Sequence, residues 1–473
     1  MEHKSRNAPK DVEAFMTDVT LERKNKGSFL WRFSKKFQFA ADKIIPDSLV
    51  FCLILTFIVF AAAMIMTGTN PIQLCMYWYD GLWTQISFAF QMAFMVIVCA
   101  TCAKSPQVNS LLGTLARAVK TPQGAMILLM VFGFVSSFVN WAFCTIVTPI
   151  LAMQLSKYIK GLHFPMMIAA GYSTMILGQC LGPTASVYAL LATEGHFMQD
   201  TIGIITQDQS VYNPVNVTLF SILAVATIIL AVMTRPPKEE TVEFNTIMDE
   251  EIPNFDVESK DTIADKLNGS KICMWLIGIA GIVVMVYSFI TLGFFGALSV
   301  NFIIFMFLTI NCFLHSTPTS FVNAHKDSMK LATEVMIQFP FYGGIMGIMS
   351  SSGMAEIIVN GIVSIATPQS MPVWAYISAS IVNLFIPSQG GQFIIQGPLV
   401  VDAAQQLGAN VIYTINAFVY GDEATNLLQP LYVIPALSVV GMKLKDVWGF
   451  MAFIWVFWTV ITCLGLYFIP MFF

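Results

Sequence analysis

Apolar positions fall in blocks long enough to cross a bilayer, which takes about 20 residues of helix. Nine such segments are predicted: Ile45–Met66, Leu82–Ala103, Pro165–Leu191, Val215–Met233, Ile272–Leu292, Ala297–Leu314, Val335–Ser350, Val411–Val439 and Trp448–Ile469. Between the first two lies a short loop rich in Trp and Tyr (Tyr77, Trp78, Tyr79, Trp83), as expected at a membrane interface. Phe29–Ala41 and Lys104–Lys120 carry apolar residues at helical spacing among polar ones, which predicts helices lying on the membrane surface. Met354–Ala366 is predicted to lie flat on the opposite face.

Two blocks fit neither a span nor a surface helix. Gln123–Lys157 is a pair of apolar arms around Ser136-Ser137-Phe138-Val139-Asn140-Trp141. Met371–Ala404 repeats that design, with a break at Pro387 and a polar turn, Ser388-Gln389-Gly390-Gly391-Gln392. Both are predicted as re-entrant hairpins. Two of the nine spans are themselves interrupted, at Gly178–Thr184 and at Gly421–Asn426. Lipid cannot satisfy freed backbone groups, so such breaks are tolerated only inside protein or against a water-filled cavity.

Composition agrees with a membrane chain. Of 473 residues 56% are hydrophobic and 11% charged, where soluble domains carry about 25% charged residues. The predicted class is an all-α polytopic membrane protein with no nucleic-acid partner. Residues 1–45 carry ten Lys and Arg, with no apolar core before Ile44, which puts the N-terminus in the cytoplasm. All 24 Lys and Arg then fall in segments that this topology assigns to the cytoplasm, and the C-terminus finishes outside. Thr234–Lys271, with ten acidic and five basic residues, is an acidic cytoplasmic linker between two halves. The nine cysteines lie mostly in apolar segments, and the close pair Cys99 and Cys102 has no His nearby, so neither a disulfide framework nor a transition-metal site is expected.

The halves share short signatures in the same order. Thr121-Pro122-Gln123 returns as Thr367-Pro368-Gln369, and the Ser and Asn of Ser137–Asn140 return in Ser380–Asn383. Gln91 has a counterpart in Gln338, and the break at Pro183 one at Pro430. The topology gives the two copies opposite orientation. Inverted repeats with discontinuous helices at matching places are a mark of secondary transporters, whose sites lie between the repeats.

The four breaks are expected to converge on one site. A helix start offers N–H groups to a carboxylate, and a helix end offers carbonyls to a cation. With no Lys or Arg in the membrane, an anion would be held by backbone N–H groups together with Asn140, Asn383, Asn426, Gln179, Gln389, Gln392, Thr184 and Ser388, beside Gly390 and Gly391. Trp141 would line its apolar side. Oxygens at Ser137, Asn140, Gly178, Ser380, Asn383 and Thr425 suit Na⁺, a hard cation. Asp422 and Glu423 are adjacent acids inside an apolar span, where a carboxylate is costly and so a functional hypothesis by default. Each would ligate a cation or carry a proton, unless it caps a half-helix starting near Thr425.

Several runs carry a family resemblance. Gln338-Phe-Pro-Phe-Tyr-x-Gly344, Val382-Asn-x-x-x-Pro-Ser-x-Gly-Gly391, Gln396-Gly-Pro398 and Gln429-Pro430, with Val139-Asn140-Trp141-x-Phe143 in the first half, resemble the short-chain fatty acid transporter family, which takes up acetoacetate and butyrate. That family sits within a superfamily of ion-coupled carboxylate transporters. The resemblance implies a homodimer in the cell (inner) membrane whose transport domain moves as an elevator against a scaffold. On that reading residues 1–45 are the basic N-terminal segment, 46–121 and 272–369 the scaffold, 122–234 and 370–473 the transport domain, and 235–271 the linker. It implies Na⁺- or H⁺-coupled transport of a short-chain monocarboxylate and no cofactor. The alternatives are a dicarboxylate or amino-acyl substrate, or a membrane-embedded enzyme. The enzyme reading would need a nucleophile or metal cluster, and the five His lie at ends and loops.

Overall fold

A computed structural model describes residues 28–44, 46–84, 86–139, 141–182, 185–192, 194–196, 198–244, 262–297 and 299–473. The basic segment before residue 28, the middle of the acidic linker, Asn140 and Thr184 therefore lie outside the described residues.

Helices form throughout, and no strand occurs among the described residues. The first half runs α1 (Phe29–Ile44), α2 (Ser48–Thr67), α3 (Pro71–Thr84), α4 (Ile86–Ala103), α5 (Pro106–Arg117), α6 (Pro122–Val139), α7 (Trp141–Tyr158), α8 (Phe164–Gln179), α9 (Ser186–Leu191) and α10 (Pro214–Met233). The second runs α11 (Lys271–Ala297), α12 (Val300–Leu314), α13 (Pro318–Ser328), α14 (Thr333–Ser351), α15 (Met354–Val363), α16 (Met371–Asn383), α17 (Gln389–Leu407), α18 (Val411–Thr425), α19 (Ile434–Val440) and α20 (Leu444–Phe468). From α2 to α9 and from α12 to α19 the elements follow in the same order with similar lengths.

Among the described residues, five helical stretches are long and apolar enough to cross a membrane: Leu49–Thr67, Pro71–Ala103, Pro214–Met233, Ile263–Gly293 and Leu444–Phe472. With the broken and shorter apolar helices around them, they make this a multi-pass membrane protein. The most exposed, Ile263–Gly293 and Leu49–Thr67, suit lipid contact. α8, largely apolar, is buried along its whole length, and α18 is buried from Thr414 to Thr425 although it carries Asn416, Asp422 and Glu423.

The aromatic loop of the sequence reading is helix α3, and it contains Asp80. Pro71 supplies the first turn, and the helix is held by close backbone packing on α14. Gly81 meets the backbone of Gly343 and Gly347, and Gly344 lies under the Trp78 ring; any Cβ at these places would collide. Such stripes of small residues let helices approach where lipid offers no hydrophobic drive.

Helix α1 does more than lie on a surface. It packs along α20, with Trp31 stacked on Phe450 at 5.7 Å and Phe33 and Phe37 against Phe453. Its Lys35 ammonium pairs with Glu240 at 2.7 Å, as does the Trp31 indole N–H at 2.8 Å.

Helix breaks occur in both expected hairpin segments and in both segments expected to be interrupted. α6 and α7 flank residue 140, and α16 and α17 flank 384–388. The second interruption lies later than expected: Gly421–Thr425 remain helical, and the chain leaves α18 at Asn426 and re-enters helix at Ile434. Pro430 and Pro435 explain why the helix cannot run through.

Candidate functional site

The second hairpin lies along the second broken helix. Gly421 lets α16 approach α18 so closely that a Cβ there would strike the Tyr376 carbonyl. In the first half Gly133 of α6 does the same against Thr174 of α8, and Gly178 against the Ser137 hydroxyl. This closeness brings the polar residues at the helix ends together.

Asn383, the last residue of α16, is buried and donates through Nδ2 to Thr425 Oγ1 (3.0 Å) and Asn426 Oδ1 (2.9 Å). Thr425 Oγ1 donates to the Ser380 carbonyl at 2.9 Å, and Ser380 Oγ to the Gly421 carbonyl at 3.1 Å. Asn426 in turn donates through Nδ2 to Glu423 Oε2 at 3.2 Å. Gln389, the first residue of α17, donates through Nε2 to Glu423 Oε1 at 2.9 Å, and its Oε1 accepts the Val187 N–H at 3.1 Å. Gln389 thus joins the hairpin tip to both broken spans. Ser388 caps α17 by accepting the Gly391 N–H.

A cavity of about 120 Å³ opens at this junction. Its polar wall is Gln179, Ser186, Ser388, Gln389, Gly390, Glu423 and Asn426; its apolar wall is Trp141, Met175, Ile176 and Tyr432. The start of α17 faces it, where first-turn N–H groups lack intrahelical acceptors. Gln179 Nε2 is buried there with no partner among the described residues. A donor so placed costs about 1–3 kcal/mol unless something accepts from it. No Lys or Arg among the described residues lines the cavity.

Of the anticipated substrate positions, Trp141, Gln179, Ser388, Gln389, Gly390 and Asn426 line this cavity, while Asn140 and Thr184 lie outside the described residues. Three do not reach it. Asn383 sits behind Asn426 and orients it. Gly391 supports the Ser388 cap. Gln392 turns inward, donating to the Ala379 carbonyl and to Gln396 Oε1, and so braces the two arms. Its Nε2 thereby satisfies two acceptors that the close arms bury.

Among the anticipated cation positions that are described, only Glu423 lines the cavity, and Asn140 lies outside the described residues. Ser137 Oγ is engaged by the Phe134 carbonyl and packs on Gly178, and Ser380 and Thr425 are bonded to the backbone as above. The idea that Asp422 or Glu423 caps a half-helix starting near Thr425 is overturned, because Thr425 ends α18. Both acids therefore sit at the carbonyl end of a helix, where the dipole favours cations. Asp422 is fully buried, and neither of its oxygens meets a donor among the described residues; the same holds for Asn383 Oδ1.

Sequence reasoning missed Tyr172, Asn216, Met175, Ile176, Ser186 and Tyr432. Tyr172 OH donates to the Asn426 carbonyl at 2.9 Å, and Tyr432 OH to the Pro387 carbonyl at 2.8 Å. Asn216 Nδ2 donates to the Cys180 carbonyl at 3.0 Å, satisfying the broken end of α8. Tyr432 was findable, as an aromatic two residues past Pro430 in the second break. His196 is buried, with Nε2 3.0 Å from the Gly203 carbonyl.

These features define a multi-pass membrane protein with a small, partly polar cavity enclosed by paired helix breaks. Residues 29–469 match the family described as Short chain fatty acid transporter. A Haemophilus influenzae protein is 30% identical over 441 residues, covering 90% of this chain and 97% of its own. An Escherichia coli protein is 30% identical over 437 residues, covering 92% and 98%. Both relatives carry provisional names as short-chain fatty acid transporters. The chain belongs to the short-chain fatty acid transporter family. The solved structure of the Alcanivorax borkumensis YdaH transporter aligns with a TM-score of 0.44 at 12% identity, over 89% of this chain and 98% of that one.

Proposed function

We propose that this protein is a secondary transporter, not an enzyme, that carries a short-chain monocarboxylate such as butyrate or acetoacetate across a cell (inner) membrane, driven by Na⁺ or H⁺. The observation that carries this reading is the cavity at the Gln389–Glu423 junction, with an unpaired Gln179 amide donor and a helix start on one wall. A carboxylate would accept from Gln179 Nε2 and the first-turn N–H groups of α17, leaving its alkyl end against Trp141, Met175 and Ile176. A lining that is part polar and part apolar favours a monocarboxylate over a dicarboxylate.

Coupling follows from charge. Glu423 already lines the cavity, and no basic side chain among the described residues lines it to offset that charge. Two carboxylates roughly 5 Å apart repel by about 3 kcal/mol at an effective dielectric constant of about 20. A cation or proton entering with the substrate removes that cost. Glu423 and the unpartnered Asp422 are the groups that would receive it, at a helix end that favours positive charge.

The parallel order of elements supports inverted repeats, with the hairpins and broken helices moving as an elevator against a scaffold that dimerises. The orientation remains that of the basic residues, N-terminus inside and C-terminus outside. Proteoliposome uptake of labelled butyrate and acetoacetate tests the reading: saturable uptake supports it, and none of any small carboxylate refutes it.

A further inference from the structure

Trp141 and Tyr432 line a second cavity as well as the first. This other space measures about 10 Å³, at or below what one water needs, and it is enclosed by Met92, Val96, Phe339, Leu431 and Pro435 together with Thr145. Its lining is apolar apart from Thr145, whose hydroxyl is spent on the Trp141 carbonyl at 2.9 Å. A dry void of this kind gains nothing from water and would gain dispersion contacts from alkyl carbon.

The partition between the two spaces is well defined. The Trp141 and Tyr432 rings meet edge to face at 5.2 Å and 80°, and Phe339 backs Tyr432 at 6.5 Å. Tyr432 cannot swing freely, because its hydroxyl is bonded to the Pro387 carbonyl at the hairpin tip. On one side are the polar groups of the site; on the other are α4 and α14, with no free polar group among the described lining residues to receive a carboxylate.

We propose that the Trp141–Tyr432 pair is the chain-length stop of the site, and that the void behind it, floored by Met92 and Phe339, is where the tail of a longer fatty acid goes once the pair is opened. This rests on the carboxylate-transport reading above. The pair then acts on the alkyl end alone, leaving the carboxylate where Gln179 and α17 hold it.

The test compares hexanoate with butyrate in proteoliposomes as a ratio of kcat/KM, for wild type, Trp141→Leu, Tyr432→Leu and Met92→Ala. Each buried methylene is worth about fourfold, so opening the stop should raise the hexanoate-to-butyrate ratio about tenfold or more. Met92→Ala enlarges the void but leaves the stop, and should keep the wild-type ratio. A wild-type ratio in an active Trp141→Leu or Tyr432→Leu variant overturns the proposal, as does a Met92→Ala ratio shifted equally. If neither opened variant transports, the rise in Tm of purified protein with hexanoate against butyrate decides, and an unchanged preference overturns it. Absence of butyrate uptake by wild type would instead count against the transport reading, and the Tm comparison would still judge the stop.

Discussion

Gln389 Nε2 donates to Glu423 Oε1 across 2.9 Å, fastening the tip of the second hairpin to the last turn of the broken helix α18. Because Glu423 borders the cavity, the contact links hairpin position to the charge of that carboxylate. Gln389→Ala removes this donor and leaves Asn426 as the remaining side-chain donor recorded for Glu423. An under-satisfied buried acceptor costs about 1–3 kcal/mol, so Tm should fall and uptake drop about tenfold or more. Uptake rates in proteoliposomes and a melting curve check this; unchanged values in both would remove the contact from the mechanism.

Asn383→Ala should lower uptake strongly while expression stays intact. Asn383 touches no part of the cavity; it orients Asn426 and Thr425 through two bonds from Nδ2. Its effect should therefore come through Asn426, and Asn383→Ala combined with Asn426→Ala should be no worse than either alone. Additive losses, measured as ln(kcat/KM), would show that the two act independently.

At Asp422 the outcome differs in kind. Its carboxylate is fully buried without a donor among the described residues, so Asp422→Asn removes a charge without breaking a recorded bond. Stability should hold or rise, while the dependence of uptake on Na⁺ and external pH should change. An unaltered cation and pH profile would return Asp422 to a structural role.

How much of this was legible in the sequence follows from what kind of signal each part leaves. Pro387 and Pro430 forced breaks that were conspicuous among apolar residues. Ser388–Gly390 and Asn426 were readable because polar residues in a greasy break must face something polar. What was hidden depends on distance along the chain: Tyr432 reaches Pro387, and Tyr172 reaches Asn426, through contacts no local pattern encodes. The helicity of Gly421–Thr425 was misread because glycine and acids look like a break locally, while burial against α16 keeps them helical. Helix α3 was misread for the opposite reason, since its aromatic residues resemble an interface loop until the glycines of α14 are seen beneath them.

A pH effect is predicted at the α1 dock, away from the site. Burial pushes the His163 imidazole down to about 4, with Lys35 adding to the effect and Glu240 opposing it. Its Nδ1 accepts the Val242 N–H at 3.1 Å, which requires the neutral ring. The unfolded chain, with an imidazole near 6.5, binds more protons between those two values. The stabilising contribution is therefore whole above about 6.5 and lost as pH falls towards 4, by up to about 3 kcal/mol. Tm measured from pH 7 to 4.5 should fall in the wild type and fall less in His163→Gln; equal slopes would refute it.

The most direct measurement is accumulation of labelled butyrate in proteoliposomes under an imposed inward Na⁺ or H⁺ gradient, for wild type and Glu423→Gln. With coupling through Glu423, one of the two gradients should drive wild-type accumulation above the external level, and Glu423→Gln should lose this gradient-driven component. Equal accumulation by both proteins, or no response to either gradient, would contradict it.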